Sequence, residues 1–432
     1  MKKTLVGFLC FALLTMLAFG SAAAEGGKLF GYIPEGRHNE GIIAGDSIKK
    51  FEEANPGWTV EAEVVPDIQT KAKISISAGE RVDFCWSPGS DWPRIWGEMN
   101  AMVDLSPYLA AEGYDIYDYF AKGYADELSY NGQQIALPTD CFSYALWYNK
   151  VILEANGVAI PEYNQSYTRE EFEDALAKCT TGDTWGLSTY LPSWHIVQPY
   201  YNAFGARIVS EDGAAAVIDS PEYKAFLTYY ADIYNKYGRP LPIAPTDSEW
   251  DETWTNGFLA GKCAFLVGAP WTITEANKME AENPDAFQWG TTMIPRFNDN
   301  PEPFSIGGTA GWAIPSTCPE ENRAAAFRLI WEFSVGSGAQ WWYDDNAMYA
   351  TLVGLENFQN HDPARNGGWI EMTKHLVPME QIVCPAWQSA VEPVLMDTVN
   401  AAFLGRMSVD DALSQAQTRI DQAIAEYVAS ME

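Results

Sequence analysis

Positive charge is scarce in this sequence of 432 residues, which has 27 Lys plus Arg against 58 Asp plus Glu and a formal net charge of −31. Because so acidic a surface repels phosphate backbones and anionic lipid, the composition argues against nucleic acids and membrane surfaces as partners. Hydrophobic residues make up 47% of the chain, which is ample for a packed core. Disordered and fibrous structures are therefore excluded.

Motifs of common metal and nucleotide sites are also absent. The sequence contains no HExxH, CxxC, GxSxG, P-loop or GxGxxG pattern, and its four histidines, His38, His195, His361 and His375, are far apart. We therefore expect neither a metal site nor a cofactor. Six cysteines follow the N-terminal segment, an even count that permits disulfides, but a chain of this size does not need them.

Only the N-terminus has a long apolar run. Lys2 and Lys3 precede an apolar stretch from Leu5 to Phe19, and three alanines at 22–24 form a small-x-small cleavage pattern. The stretch is shorter than the ~20 residues of a membrane span. We predict that residues 1–24 are a cleaved signal peptide. The residue directly after the predicted cleavage point is Glu25 and not the cysteine that a lipoprotein needs, so we expect a periplasmic or secreted protein without a lipid anchor.

The first hundred residues after this segment alternate strand-like and helix-like patterns. Lys28 to Ile33, Trp58 to Val65 and Arg81 to Trp86 are predicted strands, with helices from Asp46 to Asn55 and from Ile68 to Ala78 between them. Such a βαβαβ order predicts a parallel sheet covered by helices, whose ligands bind at the carboxyl ends of the strands.

The later part of the chain has longer helical patterns. A capping box at residues 168–171 predicts one helix start, and Ser220-Pro221 predicts another helix that runs to about Tyr237. Lys262 to Gly268 and Gly311 to Ile314 are predicted buried strands. The tail from Ser408 to Met431 has one apolar face and predicts a final helix.

Aromatic residues are abundant at 14%, with 17 tryptophans. Sugar rings pack on aromatic faces while their hydroxyl groups need planar acceptors and donors, so we searched loops and strand ends for both residue types. For each candidate, packing inside the protein is about as good an explanation as ligand contact. The candidates are Trp86, Asp91, Trp92, Asp140, Trp194, Trp271, Gly308 and Trp312.

A secreted carbohydrate-active enzyme is one class that could use such residues. Most glycosidases work with two carboxylates at a fixed separation. Carboxylates are so numerous here that finding a pair proves nothing, and adjacent pairs such as Asp344-Asp345 point apart on a helix or strand. The enzyme hypothesis stays open at this point.

Several segments, taken in order, resemble the extracellular solute-binding proteins of bacterial ABC importers, in the sugar-binding branch that includes maltose-binding protein. Their order and spacing cover nearly all of residues 28–428. The segments are residues 48–57, 78–84, 102–109, 131–140, 146–150, 258–265, Gly268 with Trp271, Gly307-Gly308 with Trp312, and 405–408.

The resemblance implies a two-lobed periplasmic-binding-protein fold, an α/β architecture in which each lobe is a mostly parallel sheet flanked by helices. The lobes are joined by several hinge strands and close on a ligand in the cleft between them. By similarity, residues 25–138 and 293–348 form the N-terminal lobe. Residues 139–292 and 349–432 form the C-terminal lobe.

The resemblance also implies a function, that of a non-catalytic receptor that delivers a mono- or oligosaccharide to an inner-membrane ABC permease. In this hypothesis Trp86, Trp271 and Trp312 stack on sugar rings, and Asp91 and Asp140 accept hydroxyl hydrogen bonds. We expect a monomer. A second hypothesis is a binding protein of the same fold for a polyamine, since such sites also combine Trp, Tyr and Asp.

Overall fold

The computed structural model describes residues 26–34, 46–87, 92–120, 122–240, 257–297, 303–340, 349–350, 362–377, 379–384 and 386–431. The predicted signal peptide and Asp91 lie outside the described residues. Within these ranges no helix combines the length and apolar character that crossing a membrane requires.

In the part of the chain that the structure describes, twelve strands form two large sheets and one hairpin. In chain order they are β1 (Lys28–Pro34), β2 (Thr59–Val65), β3 (Phe84–Ser87), β4 (Ser129–Tyr130), β5 (Gln133–Gln134), β6 (Leu137–Ser143), β7 (Ala145–Asn149), β8 (Trp185–Ser188), β9 (Cys263–Gly268), β10 (Trp289–Thr292), β11 (Gly307–Ala313) and β12 (Tyr349–Ala350). The first sheet has the order β12-β6-β11-β3-β1-β2 and the second β10-β7-β9-β8.

The direction of the strands follows the path of the chain between the sheets. β1 pairs in parallel with β2 and β3, and β8 with β9. β11, which returns to the first sheet, is antiparallel to β6, which leaves it; β10 is likewise antiparallel to β7 in the second sheet. One strand of each pair leads the chain out of the sheet and the other leads it back, so the two strands run antiparallel. Both sheets are therefore mixed, where the sequence predicted mostly parallel ones.

Sixteen α-helices pack around the sheets within the described ranges. They are α1 (Ser47–Ala54), α2 (Ile68–Ser77), α3 (Trp92–Glu98), α4 (Ser106–Glu112), α5 (Ile116–Tyr119), α6 (Lys122–Glu127), α7 (Lys150–Ala155), α8 (Arg169–Cys179), α9 (Gln198–Ala203), α10 (Pro221–Tyr237), α11 (Ile273–Glu282), α12 (Glu320–Ser334), α13 (Pro363–Met372), α14 (Glu380–Val383), α15 (Glu392–Phe403) and α16 (Val409–Met431). Short 3₁₀ turns at His195–Val197 and Pro270–Thr272 follow β8 and β9.

Local sequence signals set the ends of several helices. Thr168 accepts a hydrogen bond from the backbone N–H of Glu171, whose carboxylate accepts from the N–H of Thr168, so the predicted capping box starts α8. The Ser220 side chain caps α10, which has proline at its first position. After α1, Gly57 has a φ of 93°, a left-handed conformation that glycine adopts without strain.

Each large sheet has its own core. Both faces of the first sheet are covered, one by a cluster that includes Leu29, Phe84 and Phe333, the other by a cluster around Tyr32 and Trp96. The second sheet is the centre of a larger cluster. Separate cores on separate sheets define two lobes.

The chain passes from the first sheet to the second at Tyr144, the single residue between β6 and β7. A second connection runs back from β10 to β11, and the two are bonded to each other. Ser305 Oγ accepts from the Tyr144 N–H at 3.0 Å and lies 2.9 Å from the Tyr144 carbonyl, to which it can donate. The first crossing therefore follows Ser143, several residues beyond the predicted boundary at 138/139.

All six cysteines after the N-terminal segment are free and buried. Cys85 and Cys141 lie on β3 and β6, which are separated in the sheet by β11. Burial raises the pKa of each of these two thiols to about 12, which keeps them protonated and unreactive at neutral pH. The even cysteine count does not reflect a disulfide framework.

Candidate functional site

Trp271 lies at the junction of the two lobes and is 39% exposed, an unusual value for a tryptophan in this protein. Its position follows from β9, whose last residue, Gly268, pairs with Ala145, the first residue of β7. The 3₁₀ turn after β9 then brings the Trp271 ring next to the lobe crossing at Tyr144. The ring centroids of Trp271 and Tyr144 are 5.7 Å apart and nearly perpendicular.

Phe142, on β6 of the first sheet, completes the contact across the junction. Its ring centroid is 5.4 Å from that of Trp271 and 5.9 Å from that of Tyr144. Trp271 therefore contacts residues of both the first sheet and the crossing segment. A large ring that meets two aromatic neighbours at steep angles while part of it stays open to solvent can receive an apolar ligand face.

The same edge of the second sheet supplies Trp194 and His195. β8 and β9 are parallel, so the segments after their carboxyl ends lie on one side of the sheet. His195 Nε2 is 3.1 Å from the Tyr144 hydroxyl, and its ring is stacked near Trp194 with centroids 6.4 Å apart. The residues Phe142, Tyr144, Trp194, His195 and Trp271 are called the junction cluster below.

Carboxylates approach the junction cluster from the first lobe. Asp140 lies two residues before Phe142, on the same face of β6, and is fully buried. Glu127, at the end of α6, lies beside Gly308 on the paired strand. A Cβ at Gly308 would stand 2.7 Å from Glu127 Oε1 and 3.4 Å from the Phe142 ring. Glycine at 308 therefore leaves space for the Glu127 carboxylate at this position.

Burial lowers the pKa of His195 from its ordinary value of 6.5 to about 4. The imidazole is therefore neutral at physiological pH and offers one donor and one acceptor nitrogen. A group whose folded-state pKa is lowered in this way contributes stability that is complete above pH 6.5. That contribution is lost as the pH falls toward 4, because the unfolded chain binds the proton first.

We expect His195→Gln, which can still accept a hydrogen bond from Tyr144, to lose less stability than the parent protein between pH 6.5 and 4. The difference between the free energies of unfolding of the variant and the parent protein should change by up to about 1.4 kcal/mol per pH unit. Urea unfolding of both proteins at pH 7, 6 and 5 measures it. Subtracting the free energy of unfolding of one protein from that of the other cancels the titrations that both share. One of these is the titration of Glu380, whose pKa is raised by burial to about 7. Parallel pH curves for the two proteins would contradict a neutral, buried His195.

The structure places four of the predicted site residues at the junction of the lobes. Trp194 and Trp271 belong to the junction cluster, and Asp140 and Gly308 lie beside it. Trp86, on β3, is partly buried and packs against both first-lobe clusters. Trp92 and Trp312 do not reach the junction. Trp92 is 7% exposed with its ring 5.0 Å from that of Trp96.

Trp312 corrects the predicted stacking of three tryptophans on one ligand. Its Cα pairs with that of Trp86 across β11 and β3, but its side chain is 2% exposed and its ring lies 4.9 Å from Phe333 in the first-lobe core. A buried ring has no free face to offer. We therefore assign Trp312 and Trp92 to packing, the alternative left open by the sequence.

Sequence reasoning missed Phe142, Tyr144, His195 and Glu127. A signal for two of them was present, because Asp140, Phe142 and Tyr144 alternate along β6 and its extension, and a period of two puts them on one face. No comparable signal marks His195 or Glu127. Both reach the site through contacts with residues far away in the sequence.

A cavity of about 980 Å³ lies elsewhere on the second lobe, bordered by residues 157–162 and 164–168, Met293, Arg296 and His375. It contains none of the predicted site residues. The junction cluster, where both lobes and both connections meet, is the better candidate site.

Two α/β lobes, each with its own sheet, joined by chain crossings and with aromatic and acidic residues at the junction, define the class of two-lobed binding proteins. The chain belongs to the bacterial extracellular solute-binding protein family, whose sequence profile matches residues 43–333. The family and fold class predicted from the sequence are confirmed.

Similar proteins cover nearly the whole chain. A Brucella abortus protein named as a binding protein is 25% identical over 417 residues, which are 94% of this chain and 96% of that one. The ABC substrate-binding protein Lmo0181 of Listeria monocytogenes, solved with cycloalternan, superposes with a TM-score of 0.75 and 19% identity over 92% of this chain and 99% of its own. The maltodextrin-binding domain of Bdellovibrio bacteriovorus, solved with maltotriose, superposes with a TM-score of 0.71 and 19% identity, over 92% of this chain and 100% of its own.

Proposed function

We propose that this protein is the substrate-binding component of an ABC importer and that it captures a carbohydrate at the junction cluster. The observation that carries the proposal is Trp271, an exposed ring at the point where both lobes meet. Closure of the lobes would cover a ligand that rests on this ring. The family assignment and the sugars in the two solved relatives support this reading.

The chemistry around Trp271 matches the two sides of a sugar ring. The C–H face of a pyranose packs on an aromatic face, which Trp271 offers. Its hydroxyl groups need fixed acceptors and donors, and the neutral His195 and the Glu127 carboxylate lie beside the aromatic neighbours of this ring. Asp140, which is buried in the structure, would have to become accessible to act as a further acceptor. Trp86 and Asp91 stay in the proposal as first-lobe contacts.

The remaining features of the proposal concern export and partners. The protein would be exported by cleavage after residue 24, act as a monomer in the periplasm or outside the cell, and pass its ligand to an inner-membrane permease. It would have no catalytic activity. For the lobes we propose the predicted division with three changes: the first crossing lies at Tyr144, the return to the first lobe lies after Phe297, and β12 belongs to the first lobe.

A polyamine is the second candidate ligand, and the carboxylates beside the aromatic cluster favour it. Glu127 and Asp140 would attract ammonium groups, and an aromatic face can bind a cation. The overall negative charge would also speed the approach of a cationic ligand. What the polyamine hypothesis lacks is a counterpart among the two solved relatives named above, both of which hold sugars.

Thermal melting of residues 25–432 against sugars, sugar acids, polyamines and amino acids tests the proposal, because a ligand that binds only the folded state raises the melting temperature. We expect a shift of several degrees with a neutral mono- or oligosaccharide. Shifts with polyamines alone would replace the sugar by the second candidate. Release of reducing ends from a polysaccharide would instead indicate an enzyme.

A further inference from the structure

A hydrogen bond joins the two lobes away from the strands that connect them. Tyr427, on the last helix α16, donates from its hydroxyl to Glu98 Oε2 on α3 at 2.9 Å. Arg94 Nη1, one turn earlier on α3, donates to Glu98 Oε1 at the same distance. The Arg94 and Glu98 side chains are only 17% and 18% exposed, so solvent screens this group weakly.

Each side of this contact is fixed in its own lobe. On α3, Trp92 and Trp96 belong to a first-lobe core cluster. On α16, Ile420 and Ile424 belong to the second-lobe core. Neither helix can shift freely on its own core, so the Glu98–Tyr427 distance reports the position of one lobe against the other.

The charge of Arg94 also acts on residues of the second lobe. Burial raises the pKa of Cys384 in the second lobe, and the charge of Arg94 opposes that rise. The pKa of Tyr427 is raised by burial and by its hydrogen bond to Glu98. Arg94 therefore stands close to two separate second-lobe segments, the one around Cys384 and α16.

We propose that the Glu98–Tyr427 contact stabilises the arrangement of the two lobes seen in the structure and thereby sets ligand affinity without touching the ligand. A hydrogen bond that exists in one arrangement only shifts the equilibrium toward it. Since a ligand held between the lobes binds the closed form, its apparent affinity falls with the fraction closed. The statement about affinity rests on the proposed function, whereas the statement about the lobes does not.

The experiment compares three variants. Tyr427→Phe removes the hydroxyl donor, and Glu98→Gln removes the charged acceptor. Tyr117→Phe is the matched control, because Tyr117 donates to Asp126 at 2.9 Å within the first lobe alone. Spin labels on the exposed positions Lys73→Cys and Ala425→Cys, one in each lobe, report lobe separation. The six native cysteines are buried and should not react with the label.

In the ligand-free protein we expect Tyr427→Phe and Glu98→Gln to shift the label distances away from those of the parent protein, and Tyr117→Phe to leave them unchanged. With the sugar found by thermal melting, the affinity of the first two variants should change about two- to tenfold, as expected for one hydrogen bond, becoming weaker if the lobes open and tighter if they close. Their combination should change the affinity no more than the larger single effect.

Identical label distances in all four proteins without ligand would overturn the proposal. Failure of every sugar to bind would count against the proposed function alone, because the distance measurement needs no ligand. A shift of the distances in Tyr117→Phe as large as in Tyr427→Phe would also overturn the proposal, since the effect would then not come from the contact between the lobes.

Discussion

Trp271→Ala should weaken sugar binding by tenfold or more, a loss of about 1.4 kcal/mol or above, while the protein stays folded. The ring is 39% exposed and meets Phe142 and Tyr144 through edge contacts, so its removal opens no closed cavity in the core. What is lost is the stacking surface for the ligand. Isothermal titration calorimetry with the sugar found by thermal melting measures the effect.

Two variants separate stacking from a general loss of aromatic packing. Trp271→Phe keeps a smaller ring and should lie between the parent protein and Trp271→Ala in affinity. Trp185→Ala removes a partly buried tryptophan at the start of β8 and should leave the affinity nearly unchanged. Equal affinities for Trp271→Ala and the parent protein would remove Trp271 from the site.

Trp312→Ala should have the opposite effect, a large loss of stability. The side chain is 2% exposed and packs with Phe84 and Phe333 in the first-lobe core. Truncation of a buried tryptophan leaves a cavity and typically lowers the free energy of unfolding by about 3–5 kcal/mol. Urea unfolding of the ligand-free protein, followed by fluorescence and circular dichroism, measures the loss.

Trp312→Phe, which keeps most of the buried volume, should recover more than half of that stability. If the free energy of unfolding of Trp312→Ala were instead within about 1 kcal/mol of that of the parent protein, and the variant lost ligand binding, the ring would belong to the ligand site. The pair of Trp271→Ala and Trp312→Ala thus tests the division of the tryptophans into site and core.

The secondary structure was largely readable from local signals. The predicted strand from Lys28 to Ile33 is observed as Lys28–Pro34, and the predicted final helix from Ser408 to Met431 as Val409–Met431. The capping signals at Thr168 and Ser220 predicted helix starts that the structure contains. These features depend on backbone groups within a few residues, so the sequence nearby contains the necessary information.

The candidate site was predictable only in part. Trp271 was predicted because it follows a buried strand after Gly268-Ala269-Pro270, and the structure places it at the lobe junction. Trp312 was predicted because it comes after Gly307-Gly308, yet it lies within β11 and packs in a core. His195 has no local signal at all and joins the site through the Tyr144 hydroxyl, 51 residues away in the chain.

By itself the sequence determined the order of strands and helices, the ends of several helices, the acidic character of the protein and its resemblance to solute-binding proteins. These depend on residue spacing, capping side chains and summed charge, all of which are local or additive. Only the tertiary structure decided which tryptophans face the junction, that the six cysteines after the N-terminal segment are unpaired, and that Tyr427 reaches Glu98 across the lobes. Those outcomes depend on which surfaces the two lobes bury against each other, and burial is a property of the packed molecule rather than of any one segment.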